Sequence, residues 1–427
     1  MKTTFLFLIF FGLWLPLVFA DDLIGKGETL DLDRCISIAL QRHPSIQAAT
    51  GTLKASESRV GMARSGYYPH ISGSAGYNRI DPMATSSGKG GAGGSAYDSY
   101  TASIALNQNL YDFGKTSTQV KIQELNRDSA GLDLENVRNQ ITFAVKQAYW
   151  GLLRVWHNRD VSREVVEKFR QHLDKAKAFF EAGTNPKIDV TKAEVDLSNA
   201  KLNLLKAENA YRIAVVSLNN AMGMPEAPDY EVADVLSFER VEVDLEDALL
   251  KAYDHRPDLK AIAVKKISLE KSIKLARKGY YPSVTGSAGF GWGGSSFPLD
   301  KGWNFGAQVN IPLFSGFSTR QQVSEAQANL EVLAANEALL RQNLYQDVKQ
   351  AWLNLQEAAD RIITAELSIH QAEENLDLAK GRYASGLGSP LEVTDALVAA
   401  SNAKIAHITA LYDYKLAKAN LEKAIGE

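Results

Sequence analysis

Two kinds of hydrophobic spacing recur along the chain, and the first predicts unusually long helices. Apolar residues at steps of three and four run through 115–182 and 318–382, and neither stretch contains a proline. This spacing is typical of α-helices that pack as antiparallel coiled coils. Nearly seventy residues at about 1.5 Å each give a rod of roughly 100 Å. Each long helix is therefore expected to extend far beyond a compact core.

Shorter helical segments come in pairs whose combined length is close to that of one long helix. We expect each pair, 187–222 with 247–278 and 391–425 with 31–64, to stack end to end beside a long helix. Residues 224–243 would pack around the middle as a linker. His43-Pro44 and Arg256-Pro257 predict breaks near this waist, because the residue before a proline is biased away from helix.

The second kind of spacing is a period of two, found in four segments. In the last of them Trp303 and Phe305 share one face, while Asn304 and Gln308 take the other. Segments of about ten residues with small polar side chains on one face are typical of membrane β-barrel strands around a wet lumen. A soluble, half-buried sheet produces the same alternation, so the strands alone leave both interpretations open. The segments are 70–79, 98–110, 283–292 and 302–312.

The two halves of the chain repeat one another. Residues 31–78 match 244–291 at an offset of 213, and Gly66-Tyr67-Tyr68-Pro69 falls on Gly279-Tyr280-Tyr281-Pro282. From residue 110 onward the offset is 203, because ten extra residues, with a glycine-rich run at 86–94, form a predicted loop in the first half. This is the pattern of an internal two-fold repeat. The repeats span 21–223 and 244–427, with the linker at 224–243 between them.

A membrane barrel would require several copies of this chain. Four strands cannot close a cylinder, and an open sheet edge in lipid leaves backbone N–H and C=O groups unpaired at several kcal/mol each. Single-chain barrels have at least eight strands. Three copies with twelve strands are therefore the expectation, while two or four copies stay open.

Residues 1–20 are typical of a secretory signal peptide. Lys2, an apolar stretch and Val18-Phe19-Ala20 predict cleavage after Ala20. The single cysteine, Cys35, lies too far beyond this point to carry a lipid anchor, and it cannot form an internal disulfide. Loss of the signal removes Lys2 and no acid, so the formal charge of −3 becomes −4. Nucleic-acid binding gains no support from this balance.

The sequence contains no pattern typical of an enzyme. The seven histidines show no HExxH spacing, and no serine lies in a GxSxG motif. We therefore expect no catalytic residues, no metal site and no cofactor.

The chain resembles the TolC family of outer-membrane channel proteins over essentially all of its length after the signal peptide. The resemblance lies in the duplicated strand and long-helix unit, the two Gly-Tyr-Tyr-Pro motifs and Pro312-Leu313-Phe314-Ser315-Gly316. Arg382-Tyr383-Ala384-Ser385-Gly386, followed by Glu392-Val393-Thr394-Asp395-Ala396, is the other matching region. It implies a mainly α-helical chain whose homotrimer has one 12-stranded barrel in outer-membrane lipid and a helical tunnel across the periplasm. It also implies a periplasmic adaptor and an inner-membrane transporter as partners, and a passive exit duct for efflux or type I secretion.

The resemblance further implies a gate at the periplasmic tips of the helices. Tyr383 would face Asp189, while Glu392 and Asp395 would supply acidic rings. Gly388 stands where the best-known members have an arginine that ties the gate, and Glu392 replaces an aspartate, so the second tether is not carried over. From the residues alone, an acid in a first helical turn ordinarily complements the helix dipole. Helix-stop and helix-start signals predict the tip turns at Gly183, Pro186, Gly386, Gly388 and Pro390.

Two other classes of protein remain possible from the sequence. A periplasmic adaptor or structural coiled-coil protein would place the strands in a soluble sheet, without a membrane barrel. A secreted hydrolase has the least support, because neither a nucleophile nor a metal site is indicated.

Overall fold

The structure is a computed structural model that describes residues 24, 25, 27–81 and 96–427. The predicted signal peptide at 1–20 and the glycine-rich run at 86–94 lie outside the described residues. The first half contains β1 (Thr29–Leu30), α1 (Leu32–Arg42), α2 (Pro44–Arg64), β2 (His70–Ile80), β3 (Tyr97–Tyr111), α3 (Lys115–Glu181) and α4 (Lys187–Met222). The second half contains β4 (Glu231–Val232), α5 (Leu245–His255), α6 (Pro257–Arg277), β5 (Ser283–Gly294), β6 (Asp300–Asn310), α7 (Ser318–Ala384) and α8 (Pro390–Ile425).

The helices α3 and α7 contain 67 residues each and form the long rods of the molecule. Helix α3 packs along α4, α7 packs along α8, and α3 also contacts α8. Above them, α2 lies against α3, and α6 lies between α3 and α7. Among the described helices, none has an apolar stretch long enough to cross a membrane.

The short helices stack within their own repeat, so the stacking expected from helix lengths is wrong. The end of α4 at Gly223 meets His43 at the start of α2, and the end of α8 at Gly426 meets Arg256 at the start of α6. A Cβ atom on either glycine would lie 2.8 to 2.9 Å from the backbone of the facing residue, so only glycine permits this approach. Length could not reveal the pairing, because α2 and α6 both have 21 residues while α4 and α8 both have 36.

Proline fixes where the upper helices begin. Pro44 and Pro257 are the first residues of α2 and α6, a position where the missing N–H is not needed. The segments 31–64 and 247–278 are accordingly divided in two at these prolines, as their X-Pro pairs indicate.

The four long strands form one antiparallel sheet in the order β2-β3-β5-β6. Residues directly opposite each other share a face, and Tyr77 pairs with Tyr100 while Phe290 pairs with both Ile104 and Trp303. The apolar faces seen in the separate segments are therefore one continuous face of the sheet. Polar residues such as Ser74 and Ser103, whose hydroxyls lie 2.8 Å apart, occupy the other face.

All four strands differ from their predicted segments at one or both ends, by one or two residues. Strand β6 runs from Asp300 to Asn310 instead of 302–312, because Pro312 lacks the N–H that would extend the ladder. Strand β3 continues to Tyr111 after a register irregularity between Asn109 and Tyr111.

The linker 224–243 is held at the middle of the rods by two aromatic side chains in equivalent repeat positions. The Tyr149 hydroxyl donates to the Ala233 carbonyl at 2.7 Å, and the Trp352 indole N–H donates to the Val243 carbonyl at 2.8 Å. Each belongs to, or packs against, a buried cluster at this level of the bundle. The waist therefore separates the sheet and upper helices from the lower helices and their two tip turns.

Candidate functional site

The lower ends of α3, α4, α7 and α8 share one buried cluster, which joins the two helical hairpins. We call it the tip cluster. Because it includes buried side chains from both hairpins, it is the contact that holds the two tip turns together. Its members are Phe169, Leu173, Ala176, Ala193, Leu197, Ala200, Leu376, Ala379, Tyr383, Val393, Ala396, Leu397 and Ala400.

Tyr383 reaches from the end of α7 across to α3. Its ring lies 5.5 Å from the ring of Phe179, edge to face, and 5.5 Å from the ring of His172. The side chain is only 5% exposed, and its hydroxyl has no hydrogen-bond partner among the described residues. Burial raises the pKa of Tyr383, the carboxylate of Asp189 raises it further, and the side chain of Asn185 acts in the opposite direction. Tyr383 therefore connects the hairpins by packing.

Asp189 lies close enough to Tyr383 for its charge to act on the hydroxyl, but the two residues are not hydrogen-bonded. Asp189 lies in the first turn of α4, and its Oδ2 accepts a hydrogen bond from Nδ2 of Asn185 at 3.1 Å. No hydrogen bond joins the carboxylate to Tyr383 within the described chain. Sequence reasoning missed Asn185, although its position in the turn before an acid is typical of a local side-chain contact.

Glu392 and Arg382 form the contact that closes the second tip turn. Ser389 caps α8 in a capping box with Glu392, which also satisfies the Ser389 N–H. Nε of Arg382 lies 3.2 Å from Oε2 of Glu392, and its Nη2 donates to the Leu387 carbonyl. Both charged side chains are largely exposed, so the pair contributes at most about 1 kcal/mol. Sequence reasoning missed Arg382 as a partner, although it directly precedes Tyr383.

Gly388 lies where the second tip turn folds back on the end of α7. A Cβ atom here would lie 3.0 Å from Cβ of Arg382 and 3.0 Å from the Tyr383 nitrogen. A larger residue, such as the arginine expected from the family, would require the turn to loosen. The absence of an arginine is therefore consistent with the tight geometry of this turn.

Asp395 lies one turn further along α8 and is exposed. Within the described part of the chain its carboxylate makes no hydrogen bond or ion pair. The adjacent Thr394 is buried and donates to Oδ2 of Asp196 at 3.2 Å, which links α8 to α4. Among the described residues, no three histidine, cysteine or acidic side chains converge as metal ligands would.

A second link between the hairpins lies above the tips. Nζ of Lys404 on α8 lies 3.1 Å from Glu164 on α3 and 3.2 Å from Glu373 on α7. Burial alone would lower the pKa of Lys404, but the hydrogen bonds to the two carboxylates raise it. Helical periodicity could not predict this contact, because the two partners of Lys404 lie on other helices.

Comparison with known proteins identifies the family. A sequence model described as "Outer membrane efflux protein" matches residues 35–224 and 248–427, which is most of the chain. The chain belongs to the outer membrane efflux protein family. The two matched ranges lie in the two halves of the chain.

Individual relatives are distant but are matched over most of their length. The outer membrane protein TolC of Vibrio cholerae is 23% identical over 405 residues, which cover 92% of this chain and 87% of that protein. The alkaline protease secretion protein AprF of Pseudomonas aeruginosa is 25% identical over 405 residues, covering 90% and 82%. The crystal structure of the CmeC outer membrane channel of Campylobacter jejuni has a TM-score of 0.81 at 18% identity, covering 92% of this chain and 85% of that chain.

Family membership defines the general role of the chain. It is an outer-membrane exit duct of the kind used in efflux and type I secretion, and it extends into the periplasm. The expected fold class, family and location are thereby confirmed. The alternative of a periplasmic adaptor without a membrane barrel is wrong.

Proposed function

We propose that three copies of this chain form one passive channel that crosses the outer membrane and the periplasm and catalyses no reaction. Its periplasmic end is closed by the two tip turns of each copy. A periplasmic adaptor and an inner-membrane transporter engage this end, and the transporter supplies the energy for export. The observation that carries this proposal is a four-stranded sheet with two unpaired edges and one apolar face.

The two unpaired edges are complementary to each other. Strands β2, β3, β5 and β6 alternate in direction, so β6 of one copy can pair antiparallel with β2 of the next. Three copies then give twelve strands with every edge satisfied, as a membrane requires. Four strands from one chain cannot do so.

The apolar face of the sheet supports contact with lipid. Trp303 is 78% exposed and Phe305 is 79% exposed in the single chain, and no described element covers them. A water-soluble protein rarely leaves such large side chains together on an open face. In a trimer this face would meet outer-membrane lipid, and the small polar face would line the pore.

Exposed apolar residues on the helices support contacts between copies. On α4, Ile188, Val195 and Leu202 follow at steps of seven, and on α7 Val332 and Leu339 do the same. Steps of seven are typical of a helix face that packs against another helix. These stripes are the surfaces that neighbouring copies would bury.

The gate that we propose consists of Tyr383, Asp189, Glu392 and Asp395, at the turns marked by Gly183, Pro186, Gly386, Gly388 and Pro390. Tyr383 supports it by holding the second hairpin against the first. Asp395 supports it because it is exposed and unpaired within the described chain. Three copies around an axis would bring three such carboxylates together, which favours cations.

Fractionation and mass measurement test the assembly. Wild-type protein should require detergent for release from the outer membrane and should then have the mass of three chains. Leu202→Glu should reduce the trimer, because it places a charge in the α4 stripe, whereas the neighbouring Lys201→Glu should leave it intact. A chain released as a monomer without detergent would refute the proposal.

A further inference from the structure

A cavity of about 240 Å³ opens beside the tip cluster, between α3, the end of α7 and the start of α8. Its lining includes the apolar side chains of Phe179, Val393 and Leu397. The lining also includes three lysines, Lys168, Lys175 and Lys380, with Gln171 and His172, and it includes no acidic residue. The cavity therefore combines apolar side chains with positive charge.

Tyr383 lines this cavity, and its buried hydroxyl is a hydrogen-bond donor without an acceptor among the described residues. The side chain is more than nine-tenths buried, and no described group accepts from the hydroxyl. The Asn185 amide donates to Asp189 and also lies close enough to lower the pKa of Tyr383, as a donor toward the phenol oxygen would, so it does not accept from the hydroxyl. An unsatisfied buried donor is costly, so an acceptor that enters the cavity would be stabilised by it.

One of the three lysines around the cavity has no acidic partner among the described residues. Lys168 pairs with Glu164, and Lys380 lies 3.4 Å from Asp377. Lys175 has no ion pair within the described part of the chain. An anionic ligand that can also accept a hydrogen bond would accept from the Tyr383 hydroxyl and form an ion pair with Lys175.

The volume limits the size of such a ligand. Sites for drug-sized molecules have about 300–1,000 Å³, so this cavity suits one ring or a short branched chain. We propose that it binds a small organic anion, a carboxylate carried on an aromatic or branched apolar group. The carboxylate accepts from the Tyr383 hydroxyl and pairs with Lys175, while the apolar part lies against Phe179 and Leu397.

Binding of this anion would tie the two hairpins together. Lys175 and Phe179 belong to α3, whereas Tyr383 belongs to α7 and Leu397 to α8. A ligand that contacts all of them stabilises the arrangement in which the tips are closed. This consequence alone rests on the proposed gate; the binding itself does not.

Calorimetry on the detergent-solubilised full-length protein tests the proposal, with benzoate as the probe and benzyl alcohol as its neutral counterpart. Benzoate should bind saturably with one site per chain. Benzyl alcohol should bind at least about tenfold more weakly, because it lacks the charge. Equal affinity for both compounds, or no saturable binding of benzoate, would overturn the proposal.

Three variants locate the binding site. Tyr383→Phe should raise the Kd for benzoate about tenfold, because a hydrogen bond to a charged group is lost. Lys175→Gln should raise it about threefold at low salt. Lys177→Gln on the same helix, outside the cavity, should leave it unchanged. A wild-type Kd in Tyr383→Phe would rule out this site, whereas channel conductance alone decides on the gate.

Discussion

The two tip turns have the same backbone and different side chains. In the first, the Phe179 carbonyl accepts from the N–H groups of Thr184 and Asn185, and in the second the Arg382 carbonyl accepts from the equivalent Leu387 and Gly388. The side chains diverge at the next residue of each helix. Phe180 is 43% exposed, whereas its repeat equivalent Tyr383 is 5% exposed.

The helix starts that follow the turns differ as well. Helix α4 begins after Pro186 without a side-chain cap, and among the described side chains only Asn185 donates a hydrogen bond to the Asp189 carboxylate. Helix α8 begins with the capping box of Ser389 and Glu392, and Glu392 also binds Arg382. One turn is thus closed locally, while the other is also anchored through Tyr383 into the facing hairpin. The duplication supplied two equal turns, and only the second became the tether between hairpins.

The largest expected difference between the turns comes from the equivalent aromatic residues. Tyr383→Ala removes a buried ring and should destabilise the closed tips by about 3–5 kcal/mol. Phe180→Ala removes a ring that is already partly exposed to solvent, so it should destabilise the closed tips far less. Single-channel recordings should show a large leak only for Tyr383→Ala. Equal leaks in both variants would show that the second turn is not the tether.

A smaller loss of stability of the closed tips is expected from a substitution at Gly388, in the tight second turn. Gly388→Ala places a Cβ 3.0 Å from Arg382 and Tyr383, which should cost about 1 kcal/mol, the low end for overpacking. The cost is low because the first turn already has a side chain, that of Asn185, at the equivalent position. There the hydrogen bond from the Asn185 N–H to the Phe179 carbonyl is 3.3 Å long, compared with 3.0 Å from Gly388 to Arg382. The control is Gly381→Ala, which has open space and should stabilise the helix. The leak current of each variant is the measurement. A leak in Gly381→Ala but not in Gly388→Ala would contradict the close approach inferred at position 388.

The polar contacts of the two turns give smaller effects still. Glu392→Ala loses the capping box and the exposed pair with Arg382, at about 0.5–1 kcal/mol. Asp189→Ala should cost less, because only Asn185 and the helix dipole are affected. Antibiotic permeability of cells should rank Glu392→Ala above Asp189→Ala. Raising the ionic strength should narrow the difference, and the reverse ranking would show that Asp189 is the stronger tether.

The smallest effect is expected from His172, whose ring lies 5.5 Å from the ring of Tyr383. This effect should appear only at acidic pH. Burial lowers the pKa of His172 below its usual value near 6.5, and the positive charges of Lys175 and Lys192 add to this, against Asp196 and Asp189. The closed tips therefore bind fewer protons than an opened form in which the ring is hydrated. Closure is fully favoured above pH 6.5 and weakens as the pH falls through that value.

A pair of substitutions isolates this pH dependence. His172→Asn installs the residue that the second repeat has at the equivalent position, Asn375, and should remove the rise in leak on acidification. His370→Asn, at an exposed position on α7, should retain it. The measurement is leak current between pH 7.5 and 5.5, and an unchanged rise in His172→Asn would exclude this histidine.

The sequence predicted those features that depend on periodicity. The rods, the turns and the faces of the strands follow from spacing, because spacing decides which side chains point the same way. The stacking of α4 on α2 did not follow, because equal helix lengths allow either pairing. The Lys404 link was missed because its two partners lie on different helices. Tyr383 was found through resemblance, but its burial and its unpaired hydroxyl appear only once α3 is placed beside it.

The most direct test of the central claim is single-channel recording of the purified protein in planar bilayers. The account predicts small, cation-preferring steps for the wild type, and much larger steps when Tyr383→Ala is combined with Glu392→Ala. Neutral Asp395→Asn should reduce the cation preference. Protein that inserts as a trimer and never conducts, with the tips intact or opened, would contradict the claim that three copies enclose a gated pore.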